Sequence, residues 1–210
     1  MRHVGLNLLA AVLLLCAMSS LHPQPAPQED PNQLTESGRT VAAGHSVSYV
    51  IHQLPVSSFP NLPASIQTVL NQHGCSIPQT YEAHRPENVV HASLERAGSS
   101  DWAVLCASNG TVSLMVFFGS APERPMVLAT ARETDRLQTH DPSGVLGFNW
   151  GIDPASPQRV HDAQSGLQHR PPPPDHDALA DSAIERRTLF HLYAKGKWTL
   201  VELPDNDLPE

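Results

Sequence analysis

Two apolar runs that face each other across an Asn-Gly pair constrain the fold of this chain more than any other feature. Residues 102–106 and 111–118 flank the tripeptide Ser108-Asn109-Gly110. A two-residue β-hairpin turn needs positive φ at both positions, and Asn followed by Gly accepts this readily. The second run is apolar on both of its alternating faces, which predicts a central hairpin covered on each side.

Weaker patterns predict further strands and a second hairpin. The second hairpin is expected to turn around residues 194–197, between apolar runs at 188–193 and 198–203. Three other segments are predicted to add strands, namely residues 47–54, 125–131 and 145–152.

One helix is expected before the central hairpin. Residues 61–72 place their apolar side chains on one helical face, with Asn61 as the N-cap and Pro63 in the first turn. Residues 158–174 are polar, end in four prolines and are predicted to form a loop. The expected fold class is mainly β (α+β), a small antiparallel β domain with one N-terminal helix, blade-like hairpins and one disulfide.

The N-terminal sequence predicts export. Residues 1–20 have a basic start, an apolar run over 4–18 and small residues after it, which is the pattern of a secretory signal peptide. The run is too short to span a bilayer as a helix, so we expect no stable membrane insertion of the mature chain and a secreted or periplasmic location. We expect a disordered, proline-rich leader over 21–44, a single β-rich domain over 45–203 and a frayed acidic tail over 204–210.

The charge of the chain argues against nucleic acid as a partner. The formal net charge is −8, and removal of Arg2 with the signal peptide makes it more negative. Nucleic acids and anionic membranes need a basic face, which this sequence lacks. An unidentified protein or glycan is the remaining expectation for a partner.

The cysteines predict one disulfide. Cys16 lies in the signal peptide, which leaves Cys75 and Cys106 in the mature chain. An even pair in an oxidising compartment is typical of a structural disulfide. A reactive thiol pair is the alternative, but the two residues lack the Cys-x-x-Cys spacing that lowers a thiol pKa.

Two segments place an acidic or polar loop before a strand. The first runs from Ser93 through Glu95, Gly98 and Asp101 into residues 102–105. The second contains Asp175, Asp177 and Asp181 and continues into an apolar run. Hard cations such as calcium take six to eight oxygen ligands, which alternate carboxylates in a tight loop can supply.

These two segments resemble degenerate FG-GAP or VCBS repeats of exported proteins. In that family the unit is a β-propeller blade whose loop binds calcium through its first, third, fifth and ninth positions. The resemblance implies a weak calcium site at Asp175, Asp177 and Asp181, although Ala178 replaces the family's glycine. The alternative is that the aspartates cap backbone amides in solvated turns. The chain is too short for a complete propeller.

Catalytic motifs are not evident in the sequence. It has no Gly-x-Ser-x-Gly elbow and no His-Glu-x-x-His helix. A zinc or copper site around His161, His169 and His176 lacks paired spacing. Glu95 with Asp101 is a possible carboxylate pair for a hydrolase.

Three function classes stay open at this point. The first is an exported, non-enzymatic binding or structural module of the cell envelope or medium, with calcium at the second loop as the one candidate cofactor. The alternative is an exported hydrolase with an unrecognised carboxylate or Ser/His site, and the third is a purely structural accessory domain. A cleft that gathers acidic residues favours the enzyme, whereas an exposed apolar surface favours the binder.

Overall fold

The computed structural model describes residues 32–140 and 142–204. The predicted signal peptide, the leader up to residue 31 and the tail from residue 205 lie outside the described residues. Within the described part the fold is mainly β, as predicted, with thirteen strands in two sheets and two short helices.

The larger sheet has nine strands, and all but one of its pairings are antiparallel. Its order is β7-β6-β5-β3-β2-β9-β8, with β1 added to β2 and β4 added to β5. The exception is the short parallel pairing of β2 with β9. The strands are β1 (Leu34–Ala42), β2 (His45–Pro55), β3 (Ser76–Gln79), β4 (Val89–Ala92), β5 (Asp101–Ser108), β6 (Thr111–Phe117), β7 (Met126–Arg132), β8 (Leu137–Thr139) and β9 (Leu146–Phe148).

The smaller sheet has four antiparallel strands in sequence order. They are β10 (Trp150–Ala155), β11 (Ala178–Ala183), β12 (Arg187–Ala194) and β13 (Lys197–Leu200). Strands β4 to β7 form a second four-stranded meander of this kind inside the larger sheet. Both meanders contain the hairpins predicted from the sequence, at residues 102–118 and 188–203.

The central hairpin forms as predicted. Ser108 pairs with Thr111, and Asn109 and Gly110 between them have φ values of 52° and 73°. One face of β5 and β6 packs into a core that includes Leu105 and Leu114. The other face packs against α1 (Ala64–Gln72) and contributes Val104 and Phe117 to a second core. Cover on both faces explains why the two runs are apolar at almost every position.

The two sheets share their largest core. Leu105 and Leu114 of the larger sheet lie in the same buried cluster as Trp150, Ile152 and Leu179 of the smaller one. A third, smaller core lies beneath α2 (Pro157–Ala163) and includes Val160 and Phe190.

Three local expectations are corrected by the structure. Leu34–Ala42 forms β1, whereas the sequence predicts that it belongs to the disordered leader. Its backbone pairs with β2 along nine residues, although most of its side chains are exposed. The helix over 61–72 begins at Ala64, with Pro63 at the N-cap position and no side-chain cap from Asn61. The predicted loop over 158–174 contains α2, which Ser156 caps by accepting a hydrogen bond from Arg159 N.

The disulfide joins the predicted residues. Cys75 follows α1 and is bonded to Cys106 of β5, across 31 residues of sequence. Neither helix has the length and apolar character needed to cross a membrane, within the part of the chain that the structure describes.

Candidate functional site

A groove of about 610 Å³ opens between the start of α1 and the β4–β5 pair. One wall is the segment that joins β2 to α1. The other wall is formed by the loop before β4, by β4 itself and by the first residues of β5. Its lining residues are mostly apolar, aromatic or proline: Ser58, Phe59, Pro60, Asn61, Leu62, Pro86, Val89, His91 and Trp102.

The strand wall presents two stacked rings. His91 of β4 and Trp102 of β5 are cross-strand partners in the antiparallel register. Their ring centroids lie 4.4 Å apart with an interplanar angle of 20°. His91 is exposed and Trp102 is half-buried, and His91 Nε2 shares a hydrogen bond of 2.7 Å with Ser100 Oγ. The stack therefore fixes the orientation of both rings at the rim of the groove.

The other wall is a compact turn held by buried side chains. Val56–Ser58 forms a 3₁₀ turn after β2, and Phe59 N and Leu62 N each donate to the carbonyl three residues earlier. Phe59 and Leu62 pack into the core beneath α1, together with Cys75 and Cys106. The disulfide joins the segment after α1, the helix that follows this wall in the chain, to the strand that carries Trp102.

The groove is nearly free of ionisable groups. Of its nine lining residues His91 alone has an ionisable side chain, and none has a carboxylate. The hydroxyl of Ser58 is buried and makes no hydrogen bond. Such a lining supplies apolar contact area and a few hydrogen-bonding groups, which suits binding by shape rather than acid–base chemistry.

The structure does not bring the predicted calcium ligands together. No group of three or more His, Cys, Asp and Glu side chains is arranged to hold a metal ion among residues 32–140 and 142–204. Asp175 Oδ1 pairs with His176 Nδ1 at 2.6 Å, whereas Asp181 is buried and bonded elsewhere. The hydrogen bond from His176 holds the pKa of the Asp175 carboxyl below its ordinary value.

Asp177 joins the two loops that resemble each other. Its carboxylate accepts a hydrogen bond of 3.1 Å from Ser93 N, and its own backbone N–H donates to Ser93 O. A residue expected to bind calcium in the second loop thus ties that loop to the first. This contact with a backbone amide is of the kind that the alternative to calcium binding describes.

Asp101 has a similar role in the first loop. Its fully buried carboxylate accepts hydrogen bonds from the backbone N–H groups of Leu94, Glu95 and Gly119 and from Ser99 Oγ. These bonds fix the loop between β4 and β5, and with it the start of the strand that carries Trp102. Glu95 pairs with Arg96 and Ser120, so it does not form a carboxylate pair aimed at a cleft.

A buried Asp–His pair lies in the smaller sheet. Asp181 Oδ2 is 3.1 Å from His191 Nε2, and Asp181 Oδ1 accepts a hydrogen bond of 2.6 Å from Trp150 Nε1. The guanidinium carbon of Arg136 lies 4.0 Å from the centroid of the Trp150 ring. Asp181 is buried, His191 is partly buried and neither lines the groove, so the pair links β11 to β12 within the smaller sheet.

The carboxyl group of Glu133 has a raised pKa, which the sequence alone does not reveal. Glu133 lies buried after β7, and burial together with the nearby Glu36 carboxylate raises its pKa to about 7. Gln53 Nε2 donates a hydrogen bond of 3.3 Å to Glu133, and the Tyr49 hydroxyl donates one of 3.2 Å to Glu36. Burial and the same Glu36 raise the pKa of Tyr49. This acid pair joins β1 and β2 to the turn after β7, apart from the groove.

Sequence reasoning missed the groove because its residues come from three separate segments. Of the three tryptophans, Trp150 and Trp198 belong to the shared core, but Trp102 lines the groove. The one feature that distinguishes Trp102 from the other two tryptophans is its position near the start of its strand, two residues after the exposed Ser100.

Comparison of the chain with protein-family models, with curated proteins and with solved structures finds no match. The resemblance to FG-GAP or VCBS repeats therefore stays a prediction, and the groove itself carries the functional argument.

Proposed function

We propose that this protein is an exported, non-enzymatic binding module whose groove takes an extended, proline-containing segment of a partner protein. The single observation that carries the proposal is the groove between the Phe59–Leu62 turn and the stacked His91–Trp102 pair. The disulfide between Cys75 and Cys106 supports an oxidising location.

The lining of the groove favours a peptide over a glycan. Proline-rich segments dock into grooves lined by aromatic rings, because their polyproline II conformation is already formed and little entropy is lost on binding. A sugar ring needs an open aromatic face and several polar partners. Here one face of Trp102 is covered by His91, and no carboxylate lines the groove.

The negative charge of the chain favours partner segments that carry basic residues beside their prolines. The formal net charge is −8, so basic residues beside the prolines of the partner are attracted over a distance of about one Debye length. This attraction speeds association more than it adds to the final affinity.

An exported hydrolase is the alternative, and it has less support. None of the carboxylates named as candidates lines the groove. Asp101 and Asp177 are bound to backbone amides, and Asp181 is bonded to Trp150 and His191. Asp175 is paired with His176, and Glu95 with Arg96. Acid–base catalysis needs a titratable group within reach of the substrate.

The experiment is a calorimetric titration of the mature protein with a panel of peptides of about ten residues. The panel carries Pro-x-Pro or Pro-x-x-Pro spacing, with and without flanking Lys or Arg. We expect saturable binding that His91→Ala weakens at least tenfold, because His91 is exposed at the rim of the groove. His73→Ala is the matched control, since His73 is exposed at the end of α1 and does not line the groove.

Two outcomes contradict the proposal. If no proline-containing peptide binds, the groove is not a peptide site. If a glycan from a parallel oligosaccharide panel binds and His91→Ala abolishes that binding, the groove is a carbohydrate site instead.

A further inference from the structure

The described part of the chain contains an exposed proline segment of its own. Residues 171–174, the proline run, are four consecutive prolines between α2 and β11, directly after His169 and Arg170. Residues 168–173 are all exposed, and they belong to neither a helix nor a strand. Consecutive prolines favour the extended polyproline II conformation, which grooves lined by aromatic rings accept. The proline run with its basic flank is thus the kind of segment that the proposed function assigns to a partner.

Both ends of the proline run are anchored to the folded protein. Upstream, the Arg170 guanidinium donates hydrogen bonds to His161 O and pairs with Asp162 of α2 at 3.2 Å. Downstream, His176 is buried, and its Nε2 lies 2.8 Å from Tyr193 O. These two anchors restrict the run in the free protein, so less conformational entropy is lost when it binds.

The downstream end of the proline run lies close to the strand that carries His91. Asp177 exchanges hydrogen bonds with the backbone of Ser93, which follows His91 by two residues. Pro174 is three residues before Asp177, so the two lie at most about 11 Å apart. None of the four prolines lines the groove of its own molecule. The proline run therefore lies near the groove without entering it.

We infer that the proline run of one molecule occupies the His91–Trp102 groove of a second copy, in a two-fold pair that exchanges both runs. This inference rests on the proposed function, since it names the partner of the same site. A two-fold pair uses the same surface of both molecules, and the run and the groove lie near each other on that surface. Two contacts then form together, which makes the pair tighter than one contact with a free peptide.

The experiment measures the association of the full-length mature protein by sedimentation velocity over a concentration series. It is done at about 0.15 M salt, where the repulsion between two negatively charged copies is screened beyond about 8 Å. The run variant carries Pro172→Gly and Pro173→Gly. Its matched control carries Pro142→Gly and Pro154→Gly, two exposed prolines outside the run and the groove. A synthetic peptide of residues 168–176 is the calorimetric probe of a single contact.

We expect the wild type and the proline control to dimerise as the concentration rises. The run variant and the groove variant His91→Ala should each weaken the dimer about tenfold or more, whereas His73→Ala should leave it unchanged. An equimolar mixture of the run variant and the groove variant should associate more than either does alone, because the intact groove of one meets the intact run of the other. The peptide should bind the run variant, and added His91→Ala should weaken that binding.

Four results overturn the inference, and they separate it from the proposed function. A protein that stays monomeric, while panel peptides bind in dependence on His91, keeps the peptide site but removes the second copy as its partner. A dimer that persists in the run variant and in His91→Ala uses a different surface. Assemblies that grow beyond the dimer contradict the two-fold exchange. Absence of binding by every peptide removes the proposed function itself, and the inference with it.

Discussion

The acidic residues in the interior of this protein have two different hydrogen-bonding environments. Asp101 and Asp181, which are buried, and Asp177, which is partly buried, accept hydrogen bonds from N–H donors that fix a loop or a strand. Glu133 lies beside another carboxylate, and burial raises its pKa to about 7. Ionisation of Glu133 therefore opposes folding, whereas the hydrogen bonds of the aspartates support it.

Asp101→Ala should destabilise the protein by about 3 kcal/mol or more. The change removes the acceptor of three backbone N–H groups, one of them buried and two partly buried, and an unpaired buried group costs about 1–3 kcal/mol. Urea denaturation measures the loss. Asp153→Ala, an exposed aspartate on β10, is the control and should stay within about 0.5 kcal/mol of the wild type. Equal losses in both variants would show that Asp101 does not hold the loop.

Glu133 should make stability fall as the pH rises. Its pKa in the folded state is about 7, above the ordinary value of 4.5, so protonation favours folding. The contribution is fully present below about pH 4.5 and is lost as the pH rises through about 7. We expect Glu133→Gln to remove this part of the pH profile in denaturant titrations, while Glu123→Gln, at an exposed position, leaves the profile unchanged. Parallel profiles for wild type and Glu133→Gln would contradict the assignment.

At the scale of elements, turn chemistry and hydropathy make some segments predictable and others not. The β5–β6 hairpin follows from Asn109-Gly110 and from two apolar runs, since these features act locally. β1 does not follow from its sequence, because its side chains are mostly exposed and its stability comes from backbone pairing with β2. α2 buries one apolar residue, Val160, which is too few for a helical pattern to appear.

Gly110→Val should destabilise the hairpin by about 1–2 kcal/mol. Gly110 has a φ of 73°, which a β-branched residue adopts only with strain, while the space around it is open. Thermal unfolding measures the effect. Gly151→Ala is a suitable control, because Gly151 lies in β10 with ordinary contact distance to Thr80. If Gly110→Val unfolds at the wild-type temperature, the turn does not depend on positive φ.

At the scale of the whole molecule, the shared core and the groove depend on contacts that no local pattern encodes. The strands that carry Trp150 and Leu105 pack together from different sheets, and the groove combines residues 58–62, 86–91 and 102. The sequence predicts the fold class and the disulfide, which rest on composition and on residue pairs. It gives no sign of the groove, and the calcium site that it predicts stays a prediction, because acidic residues in loops suggest metal binding whether or not the fold brings them together.

The disulfide should contribute about 3–4 kcal/mol to the free energy of unfolding. It closes a loop of about 30 residues, which restricts the unfolded chain. We expect the double variant Cys75→Ser, Cys106→Ser to lose this amount in urea titrations. Thiol titration of the unreduced, denatured mature protein is the companion measurement and should detect no free thiol. Two free thiols would contradict the pairing.

The position of that bond has a consequence for when the groove reaches its final form. Cys75 follows α1 and Cys106 lies in β5, so the bond joins the helix that follows one wall of the groove to the strand that carries Trp102, although neither cysteine lines the groove itself. In a reduced chain this contact is held by packing alone. Under the proposed function, the affinity for a proline-containing peptide should therefore depend on the redox state of the pair.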